Sequence, residues 1–441
     1  MSSLNGLRLE SNNKIKINFD GGDLSSDSGL FLTKEFAHKI GFKKVLSNIF
    51  HTNDSALFRF HTDIDNLMQE IYQTIAGYFQ DDDADEFTSD PVFNAILNKN
   101  SLASQPTMSR FFNRMDNDTL LQFETIHKIM RNKIYSIKAS EMILLDIDST
   151  LFGTFGNQEG EGFNYHYSSH GYHPLLCYDG LTGDLLKAEL RDGTVYTSNG
   201  VVEFTKPLLE EYMEKYPNVA LYLRGDSGFA VPKLFELLEH NGGSYAIRLK
   251  VNKILYSNAA YLAEELDHLT KKNKIDYAVC YGEFLYQAGS WEYPRRVVVK
   301  VEKPVNQLTY LYTFIVTNMD LMPEKLIQFY CNRGRMENFI KESKNGFDFD
   351  SMSSRSKIVN ANRLQISMLA YNLFNYFRRI ALPANMRKLQ IDTIRLKLIK
   401  IASRIVRGAG YLTFKLCSSC PYKAEFYETL DNIHKIRPKL E

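Results

Sequence analysis

Residues 142–150 read Met-Ile-Leu-Leu-Asp-Ile-Asp-Ser-Thr, and this stretch decides the fold of the chain around it. The apolar run 143–147 predicts a buried strand, and Asp148 stands where that strand ends. Residues 224–229, Arg-Gly-Asp-Ser-Gly-Phe, follow a second short apolar strand and place Asp226 at its end. Because ligands of α/β sheets gather at the carboxyl ends of strands, both aspartates could share one site. A turn former or a helix cap is the alternative for each aspartate taken singly.

The surrounding pattern predicts strands that alternate with helices. Strands are predicted at 143–147, 175–178, 185–190, 220–223 and 245–249, and helices at 201–215 and 232–240. This β-β-β-α-β-α-β order is the one expected of a ribonuclease-H-like core, a mixed sheet with helices on both faces. Further β-rich runs at 277–286, 296–301 and 308–317 indicate an inserted β subdomain.

The rest of the chain is predicted to be largely helical. Helices are expected at 27–40, 67–79, 91–97, 107–115, 119–134, 324–344, 360–379 and 389–405. The predicted fold class is therefore α/β, with a mainly helical N-terminal domain, a mixed-sheet core that carries the insertion, and a helical C-terminal region. The predicted domains are 1–138 (N-terminal), 139–250 (first part of the core), 251–322 (insertion), 323–380 (rest of the core) and 381–441 (basic C-terminal region).

Composition excludes several classes of protein. The 441 residues are 44% apolar and 24% charged, which is typical of a globular protein and excludes collagen-like and wholly disordered chains. The five cysteines are few, scattered and odd in number, which favours a reducing compartment. No apolar run approaches the length of a membrane helix, and residues 1–20 lack the apolar core of a signal peptide. We expect a cytoplasmic protein with no membrane partner.

Charge is distributed unevenly along the chain. The net charge is only +1, but residues 331–441 contain 21 Lys and Arg against 9 Asp and Glu. Such a basic region favours a polyanionic partner, because cations that contact phosphates release counterions. A solvated basic face would give the same balance.

A possible DNA-reading helix lies near residue 106. Residues 102–111 place Pro106 in the first turn of a predicted helix, with Ser109 and Arg110 on the following turn. Arg110 is therefore a candidate DNA contact. A small helical bundle without any role in DNA binding shows the same pattern, and the sequence leaves both readings open.

Four polar residues near the predicted insertion's end lie on one side of a predicted helix. Tyr330, Arg333, Glu337 and Lys344 have offsets of 0, 3, 7 and 14, which at 100° per residue keeps them within a stripe about 60° wide. The stripe offers a carboxylate between cations and a phenol. A solvent-facing helix surface is the alternative.

These residues together resemble a known family. Asp148-Ser149-Thr150, then Asp226-Ser227-Gly228-Phe229, then Tyr330, Arg333, Glu337 and Lys344 are similar to the DDE transposases of bacterial insertion sequences. The similarity is to the branch whose third motif reads Tyr, two residues, Arg, three residues, Glu, six residues, Lys. It covers about residues 140–380. Residues 1–138 resemble that family's DNA-end-binding domain only in position and helicity.

The resemblance implies cut-and-paste DNA transposition by phosphoryl transfer. Asp148, Asp226 and Glu337 would be the catalytic carboxylates and hold two Mg²⁺ or Mn²⁺ ions, since these hard cations prefer oxygen ligands. Water would nick the ends of the element, and the freed 3′-hydroxyl would attack target DNA. The phosphates would be contacted by Tyr330, Arg333, Lys341 and Lys344.

The resemblance also implies the partners. They are double-stranded DNA, as terminal inverted repeats and as target, and a second copy of the chain that pairs the two ends. No phosphate-binding loop occurs, so no nucleotide cofactor is expected. Because this branch often forms a DNA hairpin with a flipped base, Trp291 is a candidate aromatic platform, with ordinary packing as the alternative.

Several alternatives stay open in the sequence. Asp146 and Asp148 point to the same face of a strand, so either could be the first ligand; we favour Asp148 for its place at the strand's end. Cys417 and Cys420 have the spacing of half a zinc site, but only His434 is near enough in sequence to add a third ligand. The competing functions are a metal-dependent nuclease without strand transfer and a DNA-binding derivative that has lost catalysis.

Overall fold

The computed structural model describes residues 7–56, 58–273, 276–305, 307 and 309–437. The first six residues of the predicted N-terminal domain and the start of the strand predicted at 308 lie outside these residues. The chain divides into two compact units. Unit 1 comprises Met1–Lys138, Gly346–Asp348 and Leu369–Glu441, and unit 2 comprises Ala139–Asn345 and Phe349–Met368. The five predicted domains are finer than this division and stay predictions.

Sixteen helices and sixteen strands are formed by the described residues. The helices are α1 Leu30–Lys39, α2 Phe42–Ile49, α3 Asp63–Ala76, α4 Asp83–Glu86, α5 Pro91–Leu97, α6 Gln105–Phe112, α7 Asn117–Ile137, α8 Val201–Lys215, α9 Pro232–His240, α10 Lys253–Asn258, α11 Ala260–Asn273, α12 Pro323–Cys331, α13 Gly334–Phe347, α14 Lys357–Ile380, α15 Ile391–Ile394 and α16 Lys423–Lys435. The strands are β1 Leu7–Arg8, β2 Lys16–Ile17, β3 Leu24–Ser25, β4 Met142–Ser149, β5 Phe152–Gly153, β6 Gly162–Asn164, β7 Ser169–Tyr172, β8 Leu175–Asp179, β9 Leu185–Glu189, β10 Ala220–Gly225, β11 Ser244–Arg248, β12 Ala278–Tyr286, β13 Arg295–Lys303, β14 Leu311–Thr317, β15 Ser403–Gly408 and β16 Tyr411–Leu416.

Unit 2 is built on one eight-stranded sheet with the order β12-β13-β14-β11-β10-β4-β8-β9. Strand β4 pairs in parallel with β10, and β10 in parallel with β11, whereas β8 is antiparallel to β4 and β9 antiparallel to β8. Counted from the β9 edge, the first five strands of the sheet are β9, β8, β4, β10 and β11. In the chain they are the third, second, first, fourth and fifth strands of the core, and only β8 runs opposite to the others. This topology confirms the predicted ribonuclease-H-like core.

The region 251–322 corresponds to the predicted inserted β subdomain. It contains helices α10 and α11, and its three strands continue the central sheet, because β14 pairs antiparallel with β11. Apolar side chains carry the core across this junction: Val298 and Ile315 pack in one cluster with Ala246 of β11. The strands were predictable from their alternating pattern, but their partner in the sheet depends on contacts distant in sequence.

The helix predicted at 324–344 is interrupted. Helix α12 ends at Cys331 and α13 begins at Gly334. In the two-residue turn between them, the amide of Arg333 bonds to the carbonyl of Tyr330 and the amide of Met336 to the carbonyl of Arg333. These hydrogen bonds span three residues instead of the four of an α-helix, so they tighten the backbone. The four polar residues of the third motif therefore do not lie on one continuous helix.

The C-terminal region is not purely helical, in contrast to the prediction. Helix α15 passes into a π-helical turn at Arg395–Ile399, and residues 403–416 then form the β15–β16 hairpin. The hairpin turn places Ala409 at φ 50° and Gly410 at φ 77°. Two left-handed residues in succession match the twist of a two-residue hairpin, and the Gly-Ala-Gly sequence at 408–410 was the signal for it.

A buried ion pair fixes the centre of the unit 2 sheet. Arg224 of β10 donates to both carboxylate oxygens of Asp146 on β4 at 2.7 Å, and its third nitrogen donates to the carbonyl of Phe329 in α12. Both side chains are almost completely buried. A Cβ atom on Gly180 would lie 2.3 Å from Asp146 Oδ2, so this position accommodates no side chain. The pair thus ties two neighbouring strands and a helix together.

No described helix has both the length and the apolar composition that a membrane crossing requires.

We predict that Asp146→Asn destabilises unit 2. The change leaves the Arg224 charge buried without its partner, which costs about 3–5 kcal/mol of unfolding free energy. The matched control is Lys206→Gln, which removes an exposed pair with Glu210 at 3.7 Å and should cost about 0.5 kcal/mol or less. Thermal unfolding followed by circular dichroism measures both. Equal midpoints for the two variants would contradict the central role of the ion pair.

Candidate active site

The structure brings Asp148 and Asp226 to one cavity. Asp148 is the second-last residue of β4, and Asp226 follows directly on β10, the parallel neighbour of β4. Both line a cavity of about 500 Å³ that lies within unit 2. The parallel pairing of β4 and β10 explains this, because it carries their carboxyl ends to the same edge of the sheet.

Each aspartate is held by local bonds. Asp148 Oδ1 accepts the amide of Ser149 at 2.9 Å, and Asp226 Oδ1 accepts the amide of Gly228 at 2.8 Å at the start of a short 3₁₀ turn. Burial raises the pKa of Asp148; the Arg333 guanidinium opposes this rise, and the neighbouring Asp226 adds to it. A desolvated carboxylate with a second acid nearby favours the approach of a cation.

Asp146 and Asp148 have different environments. Asp146 is fully buried, and both of its oxygens are bound to Arg224. Asp148 lies at the end of the strand, and its carboxylate lines the cavity. The arrangement therefore favours Asp148 over Asp146 as a residue that a ligand in the cavity can reach.

Two cations of the third motif tie helix α13 to the end of β4. Arg333 Nη2 lies 2.9 Å from Asp148 Oδ2 and donates to the carbonyl of Ile147 at 3.0 Å. Lys344 Nζ donates to the carbonyl of Leu151 at 2.6 Å, and burial lowers its pKa. Both cations that we expected on phosphates are thus bound to the protein itself in this state.

Glu337 lies in the first turn of α13, one turn after Arg333, and is exposed to solvent. It does not line the cavity of the two aspartates. Within the described part of the chain, no three His, Cys, Asp or Glu side chains are grouped closely enough to hold a metal ion. The structure therefore unites two of the three predicted carboxylates and leaves the third on the adjoining helix.

The other predicted DNA contacts are scattered. Tyr330 is half-buried at the end of α12, Lys341 is exposed on α13, and Arg110 is exposed on α6 in unit 1. Trp291 is only 6% exposed and packs edge-on against Phe235. Its predicted stacking on a flipped base stays a prediction, and it would require the ring to leave this packing.

A comparison with protein families decides the classification. The profile described as transposase DDE domain, group 1, matches residues 7–438. The chain belongs to this family of DDE transposases. No curated protein matches its sequence significantly.

Two solved structures show weak similarity to this transposase. A piggyBac transposase synaptic complex with hairpin DNA is 13% identical, with a TM-score of 0.40, over 85% of this chain and 80% of the other. A Mos1 transposase paired-end complex with the left transposon end is 12% identical, with a TM-score of 0.18, over 52% of this chain and 72% of the other.

The transposase also has an aromatic wall that the sequence analysis missed. We define this wall as Phe163, Tyr165, Tyr167 and Tyr196, which line the cavity of the two aspartates. Tyr165 is 89% exposed and Tyr196 66%. Three of the four lie in or next to the small sheet β5-β7-β6, whose two- to four-residue strands give too short an alternation to recognise in a sequence.

Tyr167 links the wall to the aspartates. Its hydroxyl donates to the carbonyl of Ser149 at 3.1 Å. Burial, together with the charges of Asp148 and Asp226, raises its pKa to about 12. The phenol is therefore neutral at physiological pH and lies within the field of both carboxylates.

A buried histidine completes the cavity lining. His173 is 2% exposed, and its Nδ1 lies 2.7 Å from the carbonyl of Val195. A carbonyl only accepts hydrogen bonds, so Nδ1 carries the proton in this contact. Burial lowers the pKa of the ring below its usual 6.5.

We predict that His173 makes unit 2 sensitive to acid. The unfolded chain takes up a proton near pH 6.5 and the folded chain only at lower pH, so the stability present above 6.5 is lost as the pH falls through that value. His173→Asn keeps an N–H for Val195 and removes the titration. Between about pH 7 and pH 5, the thermal midpoint of the parent should fall further than that of the variant. Parallel curves would show that His173 does not titrate on unfolding.

Proposed function

We propose that this transposase cuts DNA at the ends of a mobile element and joins the 3′ ends to target DNA, with Asp148, Asp226 and Glu337 as its catalytic carboxylates. The proposal is carried by one observation: two aspartates from sequence regions far apart line a single cavity at the ends of adjacent parallel strands. Membership in the transposase family supports the reaction class.

The residues at the cavity fit divalent cations. Asp148 and Asp226 offer carboxylate oxygens, the donors that Mg²⁺ and Mn²⁺ prefer, and burial together with the charge of Asp226 raises the pKa of Asp148. Paired ions, when bound, stabilise the attacking and the leaving oxygen of phosphoryl transfer. Glu337 is the third donor in this proposal, because the ion pair of Arg333 with Asp148 keeps the first turn of α13 beside the end of β4.

Arg333 has two roles in the proposal. In the DNA-free protein its guanidinium neutralises Asp148 and positions α13. When DNA enters, the same planar group can bind a phosphate beside the scissile bond by two parallel hydrogen bonds. Tyr330, three residues before Arg333, and Lys341 and Lys344 after it would contact neighbouring phosphates.

The aromatic wall suits an unpaired base next to the cut. Bases of a regular duplex are stacked on each other, so an exposed ring such as Tyr165 or Tyr196 can stack only on a base that has left the helix. This fits cleavage through a DNA hairpin, in which a base is displaced. We assign this role to the wall because its rings are exposed, whereas Trp291 is buried.

The remaining steps need both units and a second copy of the chain. Helix α6 with Arg110 is exposed in the mainly helical part of unit 1, where we propose that the terminal inverted repeats bind. Two element ends must be held together before both are joined to one target, so the working complex is a homodimer on DNA.

The decisive test compares Glu337→Gln with the parent. The substrate is a DNA fragment that carries the flanking sequence of the gene, incubated with Mg²⁺. The substitution removes one of the three carboxylates proposed to hold the metal ions, so it should lower the cleavage rate by about a thousandfold. Glu324→Gln, which neutralises an exposed carboxylate on α12, is the matched control and should cleave like the parent.

Each result of this test separates the candidate functions. Cleavage at discrete ends followed by joining to target DNA supports transposition. Cleavage that never leads to joining would indicate a nuclease of the same fold. Binding of the ends without cleavage by parent or variant would indicate a derivative without catalysis, and equal cleavage by Glu337→Gln would remove Glu337 from the site.

We predict that the aromatic wall acts through stacking. Tyr165→Ala combined with Tyr196→Ala should slow cleavage about tenfold to a hundredfold, since stacking contributes about 1–3 kcal/mol per base. Tyr165→Phe combined with Tyr196→Phe keeps both rings and should cleave at nearly the parental rate. A substrate with a mismatch at the cut should partly restore the Ala variant, because its base is already unpaired. Equal rates for all variants would exclude stacking.

A further inference from the structure

The β15–β16 hairpin of unit 1 has two different faces. Its inner face packs into the unit, since Ser403 and Ile405 are buried and the ring of Phe414 lies 4.6 Å from that of Phe31. On the outer face, Arg404 and Lys415 are exposed. The alternation of a strand accounts for this division.

The outer face places two positive charges side by side. The register of the hairpin sets Arg404 directly opposite Lys415. Like charges at directly opposed positions destabilise an antiparallel pair of strands. In the part of the chain that the structure describes, no acidic side chain lies within ion-pair distance of either residue. Among the described residues, therefore, no ion pair offsets the repulsion between the two cations.

The other outward residues suit contact with a sugar-phosphate backbone. Val406 and Thr413 face each other beside the charged pair, and Tyr411 at the turn is 77% exposed. The hairpin also belongs to the region 331–441, in which basic residues exceed acidic ones by 21 to 9. Strand β15 also pairs with β3 at Ser403 and Arg404, so the hairpin is two-stranded only over residues 405–414. A two-stranded ribbon has the dimensions of the DNA major groove.

We propose that the outer face of the β15–β16 hairpin binds the phosphate backbone of duplex DNA through Arg404 and Lys415. This inference rests on the proposed function, which supplies DNA as the partner, and adds a binding surface outside the catalytic cavity. The phosphates relieve the repulsion between the two cations, and the contact positions the duplex without reading its sequence.

The test measures how salt affects DNA binding. Affinity for a labelled duplex of arbitrary sequence is measured by fluorescence anisotropy at several NaCl concentrations, for the full chain without divalent ions. Each lost phosphate contact reduces the slope of log affinity against log salt by about 0.9, so Arg404→Gln combined with Lys415→Gln should reduce it by about 2. Affinity at 0.1 M salt should fall about ten- to a hundredfold.

The matched control neutralises two other exposed cations of unit 1. Lys43→Gln combined with Lys44→Gln changes the net charge equally on helix α2 and should leave the slope unchanged. An equal loss in both double variants would show that net charge alone governs binding, and it would overturn the proposed surface.

A single substitution separates binding from folding. Lys415→Glu sets a carboxylate opposite Arg404, so it should raise the thermal midpoint while it weakens DNA binding. A merely structural role of Lys415 would change both quantities in the same direction. This variant also keeps the inference testable if the double Gln variant fails to fold.

The inference and the proposed function fail in different ways. If the parent cleaves DNA with Mg²⁺ but the hairpin variants keep its affinity and salt slope, only the hairpin surface is excluded. If the parent binds no duplex at any salt concentration, the proposed function is excluded and the hairpin surface with it.

Discussion

The buried ion pair between Asp146 and Arg224 is the constraint on which the site depends. It joins β4 to β10, the two strands at whose carboxyl ends Asp148 and Asp226 lie, and it also binds the last turn of α12 through the carbonyl of Phe329. Two buried charges cost a large desolvation energy, which only such complete pairing offsets. Because side chains two residues apart share a face of a strand, fixing Asp146 also fixes the direction in which Asp148 leaves the sheet.

A second consequence is the separation of roles between neighbouring acids. Asp146 stabilises the fold with both oxygens, whereas Asp148 remains at the cavity with a raised pKa and a single guanidinium partner. Arg333 therefore links the end of β4 to the turn that precedes α13. Lys344 ties the other end of α13 to the carbonyl of Leu151, so two contacts hold the helix that carries Glu337.

The sequence was sufficient for the features that depend on local pattern. Short apolar runs predicted the core strands, and their order was enough for the ribonuclease-H-like topology. The strand ends also identified Asp148 and Asp226 as neighbours. The sequence could not indicate features that depend on contacts between residues far apart in the chain. These features are the continuation of the sheet through β14, the tight turn at Arg333 and the small sheet β5-β7-β6 of the aromatic wall. The hairpin at 403–416 was missed because its first residues continue an apolar pattern that suits a helix equally well.

The uneven distribution of positive charge along the chain is explained by the carboxylates of the proposed site. A site made of carboxylates repels the phosphates that it must cut, so affinity for DNA has to come from cations outside that site and from bound metal ions. With 53 basic and 52 acidic residues the chain has no general excess of positive charge, and it has to concentrate cations locally. The opposed pair Arg404 and Lys415 is such a concentration. Its repulsion lowers the stability of the free hairpin, and that loss is recovered only when a polyanion lies across the two strands.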